Sequence, residues 1–133
     1  KIRWVQRNMP LAQLHQQATQ EALAAECASE QGKYWEFVDI IFATTPSNDG
    51  LDLSKIPEYA KQAGVRDIAK FNTCIANNTY GAKIQADSAD GESAGAQGTP
   101  YSVIIAGDGS KTAVSGAQPQ ASVEAAIAAA LKK

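Results

Sequence analysis

The chain has 133 residues, of which 44% are hydrophobic and 20% are charged, and these proportions exclude a largely disordered protein. This length corresponds to one domain and leaves little room for a second. The net charge of -2 offers no basic surface for nucleic acid, and no apolar run approaches the roughly 20 residues that span a bilayer.

The first part of the chain predicts a strand followed by two helices. Residues 2–7 (IRWVQR) alternate apolar and polar side chains, which is typical of a strand. Residues 11–31 are rich in Ala, Gln, Glu and Leu with apolar residues at helical spacing, and Gly32 follows as a helix end. Residues 33–43 continue as a second helix with a broad apolar face.

The middle of the chain predicts three more helices. Residues 44–50 (TTPSNDG) have the composition of a loop. Ser54 can cap a helix that runs to Ala63, and Asp67 begins the next one. Residues 79–93 form a weaker helical pattern because two glycines interrupt it.

The character of the chain changes after Gly95. Residues 101–106 (YSVIIA) predict a buried strand, residues 107–110 a hairpin turn, and residues 111–115 the returning strand. An Ala-rich helix follows Pro119. The predicted order is strand, helical block, hairpin and helix.

The usual signatures of an enzyme active site are absent from the chain. There is no phosphate-binding glycine loop, no G-x-S-x-G elbow and no metal-spaced cluster of Cys and His, so no cofactor or metal is expected. The single histidine, His15, has no partner at a local metal spacing and is interpreted as structural or surface-exposed. Glu21, Glu26 and Glu30 with Lys33 are interpreted as a solvated helix face.

The segment Gly98-Thr99-Pro100 stands immediately before the predicted buried strand. One interpretation is a trans proline that merely starts the strand. The alternative is a cis proline that turns the backbone of Thr99 outward, where it can pair with an extended peptide. The second interpretation makes this segment a substrate-docking edge.

Cys27 and Cys74 are the only cysteines, and each lies on the apolar side of a predicted helix. They could be two free buried thiols, or they could form a structural disulfide, which the even count favours in an exported chain. Because they do not form a Cys-X-X-Cys motif, neither is expected to be a catalytic thiolate.

Several segments in collinear order resemble the DsbA-like branch of the thioredoxin superfamily, which comprises disulfide oxidoreductases with a helical insertion. The resemblance covers essentially the whole chain. It rests on residues 2–11 (IRWVQRNMPL), residues 27–35 (CASEQGKYW), Tyr59-Ala60 with Gly64, residues 71–75 (FNTCI), Gly98-Thr99-Pro100 as the cis-proline motif, and residues 116–119 (GAQP).

The resemblance implies an α/β thioredoxin-like fold from which the N-terminal strand and the catalytic helix with its Cys-X-X-Cys are absent. Residues 1–133 would form a single partial domain, with a helical insertion over residues 11–94 and the hairpin and last helix over residues 95–133. The sheet is expected to have a gap, and the chain to be part of a longer protein. A partner strand from a second copy could fill that gap.

The implied parent function is thiol–disulfide exchange in a periplasmic or other extracytoplasmic compartment. Gly98, Thr99 and Pro100 would bind extended cysteine-containing polypeptides, and a membrane redox partner is a further expectation. The chain itself contains no catalytic residue for this chemistry. The alternative function is a non-catalytic peptide-binding or structural module with a thioredoxin fold.

Overall fold

The computed structural model describes residues 1–133, which fall into two compact units, Lys1–Ser88 and Ala89–Lys133. No helix in these residues combines the length and the apolar character that a membrane crossing requires. The elements in chain order are α1 (Ala18–Ser29), α2 (Tyr34–Thr44), a single 3-10 turn (Leu53–Lys55), α3 (Ile56–Gln62), α4 (Ile68–Ala76), α5 (Gly81–Ser93), β1 (Tyr101–Ile105), β2 (Lys111–Ser115) and α6 (Gln120–Ala130).

The predicted strand over residues 2–7 is wrong, because this segment has no regular secondary structure. Its apolar side chains Ile2, Trp4 and Val5 are all well exposed. An alternating pattern becomes a strand only where a neighbouring strand accepts its hydrogen bonds, and the sheet contains only β1 and β2.

The first helix begins seven residues later than its composition predicts. The chain makes a single turn at His15, whose N–H donates to the Leu11 carbonyl at 2.9 Å. The N–H of Gln17 then donates to Asp49 Oδ1 at 3.2 Å and not to a carbonyl four residues earlier. The helical ladder is therefore established only from Ala18 onwards.

The first unit is built around one apolar core between its helices. Phe37 and Phe71 are fully buried, and their ring centroids lie 6.0 Å apart. The predicted helix beginning at Asp67 is present as α4, and the Asp67 carboxylate accepts the N–H of Lys70 at 2.8 Å. Ser54 is not a cap, since the Asp52 side chain caps the 3-10 turn that precedes α3.

The second unit contains the antiparallel hairpin, in which Tyr101 pairs with Ser115 and Ile105 with Lys111. Its turn is closed by Asp108, whose carboxylate accepts the N–H of Ser110 at 2.9 Å. Helix α6 packs along β1. Because the sheet has two strands, the side of β1 away from β2 carries no partner strand.

Candidate functional site

The segment before β1 forms a loop that is held at both ends. The N–H of Gly116 donates to the Pro100 carbonyl at 2.9 Å, which joins the loop to the end of β2. The Tyr101 hydroxyl donates to the Ala94 carbonyl at 2.8 Å. The Thr99–Pro100 peptide bond between these anchors is cis.

Thr99 is an exposed residue, and its backbone makes no hydrogen bond within the chain. Thr99 lies two residues before β1, on a segment whose position is set by the bonds at Pro100 and Tyr101. An N–H and a C=O held in this way can pair with an extended peptide as an added strand.

A concave cavity of about 300 Å³ lies beside Thr99. Three of its lining residues, Gln97, Thr99 and Ser115, have polar side chains, and the others are glycines and one proline. The complete lining is Gly95, Gln97, Gly98, Thr99, Pro100, Ser115 and Gly116.

The structure thus places Gly98, Thr99 and Pro100 at one cavity. Ser115, the last residue of β2, and Gly116, which follows it, also line this cavity, and the sequence analysis missed both. The signal that could have found them is the hairpin turn. A turn centred on residues 107–110 brings residue 115 opposite residue 101.

No titratable side chain lines the cavity. No group of three or more His, Cys, Asp or Glu residues in the chain is arranged to hold a metal ion. The polar groups of the cavity are the side-chain amide of Gln97 and the hydroxyls of Thr99 and Ser115.

Cys27 and Cys74 form a disulfide that joins α1 to α4, with their Cα atoms 5.8 Å apart. Both residues belong to the core of the first unit, where Cys27 is 1% and Cys74 5% exposed. Thiol–disulfide exchange needs access for an attacking thiolate. Because both residues are buried, this bond is shielded from an attacking thiolate.

The first unit also contains a buried polar network that corrects the interpretation of Glu26 as part of a solvated face. Glu26 is 7% exposed, and its Oε1 accepts from Asn8 Nδ2 at 2.6 Å and from Lys83 Nζ at 2.8 Å. Lys83 Nζ also donates to Asp87 Oδ2 at 2.8 Å, and Arg7 Nε lies 3.3 Å from Asp87 Oδ1.

The pKa shifts in this network reflect a balance between burial and pairing. Burial alone would raise the pKa of Asp87, but the hydrogen bonds from Lys83 and Asn8 and the charges of Lys83 and Arg7 outweigh it and lower that pKa. Burial would likewise lower the pKa of Lys83, whereas its bonds to Asp87 and Glu26 raise it. Both groups are therefore held in their charged forms.

A second polar cluster lies near the start of α1. His15 Nδ1, Gln17 Oε1 and Glu21 Oε1 are buried atoms without a hydrogen-bond partner in the protein. Burial, and secondarily the charge of Asp49, raises the pKa of Glu21, which His15 opposes.

Comparison with known proteins places the chain in a family. A sequence profile described as thioredoxin matches residues 1–129. The crystal structure of Pseudomonas aeruginosa DsbA2 superposes with a TM-score of 0.73 at 26% identity, and the match covers 96% of this chain and 70% of that one.

Two curated relatives are much longer proteins. The Na(+)/H(+) antiporter NhaA 3 of Salinispora tropica is 31% identical over 99 residues, which are 74% of this chain and 15% of the antiporter. The Na(+)/H(+) antiporter NhaA 1 of Mycolicibacterium vanbaalenii is 38% identical over 69 residues, which are 52% of this chain and 10% of the antiporter. The chain therefore spans only a small part of each antiporter. From its profile and its structural neighbour, the chain belongs to the thioredoxin family and has the DsbA-like form of the fold, with a helical insertion.

Proposed function

We propose that this chain is the substrate-docking part of a thiol–disulfide oxidoreductase, at which extended cysteine-containing polypeptides pair with the backbone of Thr99. The observation that carries the proposal is that Thr99, an exposed residue beside the cavity, has a backbone without a hydrogen-bond partner in the chain. Membership of the thioredoxin family and the likeness to a DsbA protein support the class of chemistry.

In such an exchange, a thiolate attacks one sulfur of a substrate disulfide. The new S–S bond forms as the old one breaks, and the other substrate sulfur leaves as a thiolate. Cys27 and Cys74 are the only cysteines of the chain, and they are joined in a buried disulfide. The attacking thiolate would therefore come from a cysteine outside these 133 residues.

The alternative is a non-catalytic peptide-binding or structural module, which is favoured by a cavity that no charged or titratable side chain lines. The two interpretations differ in whether a Cys-X-X-Cys accompanies these residues in the native polypeptide. Intact mass and N-terminal sequencing of the native protein distinguish them.

We also propose an oxidising compartment, periplasmic or otherwise extracytoplasmic, because structural disulfides such as Cys27–Cys74 persist there. A membrane redox partner, and association of the open edge of β1 with a strand of a second copy, belong to the same proposal.

Calorimetric titration of the purified chain with a blocked peptide tests the docking function. The peptide has five residues of β-forming sequence with serine in place of cysteine, and the matched control is the same peptide N-methylated at its central residue. Loss of binding on N-methylation is expected, because backbone pairing needs that N–H. Equal binding of both peptides would contradict pairing at the backbone.

An insulin-reduction assay tests the chemistry separately. We expect no turnover above background from the 133-residue chain, since both of its sulfurs are buried in one bond. Turnover at the rate of an intact oxidoreductase would overturn the assignment of docking without catalysis.

A further inference from the structure

The cavity beside Thr99 is lined by three uncharged polar side chains. Gln97, Thr99 and Ser115 line it, and none of their side chains has a hydrogen-bond partner in the protein. The side chain of Gln97 offers both donors and an acceptor, and each hydroxyl can donate or accept. These groups are available to a ligand.

Two glycines of the wall, Gly98 and Gly116, leave open space beside their backbone. A Cβ atom built on Gly98 would meet nothing within 4 Å, and one built on Gly116 would meet only Gln118 Nε2 at 3.9 Å. Gln118 itself is held in place, since its Nε2 donates to the Ser115 carbonyl at 2.8 Å. The space next to Gly98 and Gly116 is therefore open to an incoming side chain.

The charges of the lining decide which side chain fits. No Asp, Glu, Lys, Arg or His lines the cavity. A charged side chain entering it would lose water without gaining an ion-pair partner. An apolar side chain would cover Gln97, Thr99 and Ser115 and leave their polar groups unpaired. A neutral polar side chain avoids both losses.

We propose that this cavity selects polypeptides in which an uncharged polar residue, of the Ser, Thr, Asn or Gln type, stands next to the residue paired with Thr99. This inference rests on the proposed docking function and names the substrate class that the site would take. Gln97 and Ser115 are then the residues that determine specificity, while the backbone of Thr99 supplies affinity that does not depend on sequence.

The test uses four blocked peptides of the form Ala-Xaa-Ser-Xaa-Ala, with Xaa as Gln, Leu, Glu or Lys. The same residue on both sides of the central serine makes the comparison independent of the direction of pairing. Titration of the full chain is expected to give the tightest dissociation constant for the Gln peptide, by about tenfold over the Leu peptide, the ratio expected for unpaired polar groups.

Two variants test whether the cavity causes the selectivity between the peptides. The double variant Gln97→Ala with Ser115→Ala should bind the Gln and Leu peptides about equally. The control Thr112→Ala changes an exposed hydroxyl of β2 outside the cavity and should keep the wild-type ratio. Circular dichroism of each variant checks that its fold is unchanged.

The outcomes distinguish failure of this inference from failure of the proposed docking function. If all four peptides bind equally, or the Leu, Glu or Lys peptide binds best, the inference fails and the docking function stands. Selectivity that survives in the double variant also refutes the inference. If no peptide binds, both fail.

Discussion

Replacing Lys83 by Met should destabilise the protein far more than replacing an exposed lysine, because Lys83 bridges two buried carboxylates. Its Nζ lies 2.8 Å from Glu26 Oε1 and 2.8 Å from Asp87 Oδ2, and the carboxylate side chains are 9% and 4% exposed. Methionine keeps the apolar stem of the lysine but removes both hydrogen bonds and the positive charge.

The magnitude follows from the two bonds and their exposure. Hydrogen bonds to charged groups contribute about 1.5–3 kcal/mol each, and breaking a fully buried ion pair costs about 3–5 kcal/mol. The Lys83 side chain is 43% exposed, so water reaches one end of the network and reduces the loss. We expect the free energy of unfolding to fall by about 2–3 kcal/mol at pH 7.

Urea denaturation followed by circular dichroism measures this change. The matched control is Lys55→Met, whose lysine lies 3.9 Å from Asp52 with both side chains about half exposed. That pair should contribute about 0.5 kcal/mol or less. A Lys83→Met variant as stable as the control would refute the account of the network.

The difference between wild type and Lys83→Met should also depend on pH. The pKa of Asp87 is lowered, so its contribution to stability is present above its ordinary pKa and lost as the pH falls through the folded value. The pKa of Lys83 is raised, so its contribution is present below its ordinary pKa and lost as the pH rises through the folded value. The difference should therefore be largest near neutral pH and smaller in strong acid and strong base.

Three further changes test other parts of the structure. The double variant Cys27→Ala with Cys74→Ala opens a loop with a sequence separation of 47, and thermal and urea unfolding should show a loss of about 4 kcal/mol in the chain-entropy model. Asp67→Ala removes the cap of α4 and should cost about 1 kcal/mol in urea denaturation. Glu21→Gln should stabilise the protein at pH 7 but not at pH 3 in the same assay, because burial raises the pKa of Glu21 and so penalises its ionised form.

Each of these expectations has a clear contrary result. Unchanged stability in the double cysteine variant would show that the bond imposes no constraint on the unfolded chain. An Asp67→Ala variant that matches wild type would remove the capping role. If Glu21→Gln stabilises the protein equally at both pH values, its effect does not come from the ionisation of Glu21.

The hairpin was predictable from sequence because its signals are local. The burial predicted for its first strand was wrong, since β1 contains no buried residue and Ile105 is 65% exposed. The turn residues around Gly109, with its φ of +83°, and the β-branched run in β1 are neighbours in sequence. Helix α2 was predictable for the same reason, since its apolar residues recur at helical spacing. The segment at residues 2–7 was not, because its alternating pattern lacks a partner strand in this sheet.

Long-range contacts explain what the sequence could not reveal. Asn8 contacts Glu26 and Asp87, which lie 18 and 79 positions away in the sequence. Because the local sequence does not show these contacts, Glu26 was interpreted as solvated although it is buried. At the candidate site, Thr99 was found through its proline motif. Ser115 was missed because only the strand register brings it opposite Tyr101.

The central claim is that Thr99 pairs with an extended polypeptide through its backbone. It is tested most directly by the amide proton of Thr99 in the ¹⁵N-labelled chain at saturating concentrations of the Gln peptide. We predict a downfield shift of this proton and slower exchange with solvent, with further shifts at Gln97, Ser115 and Gly116. An unchanged Thr99 amide, with the shifts instead on the exposed face of α2 around Trp35, would contradict the account.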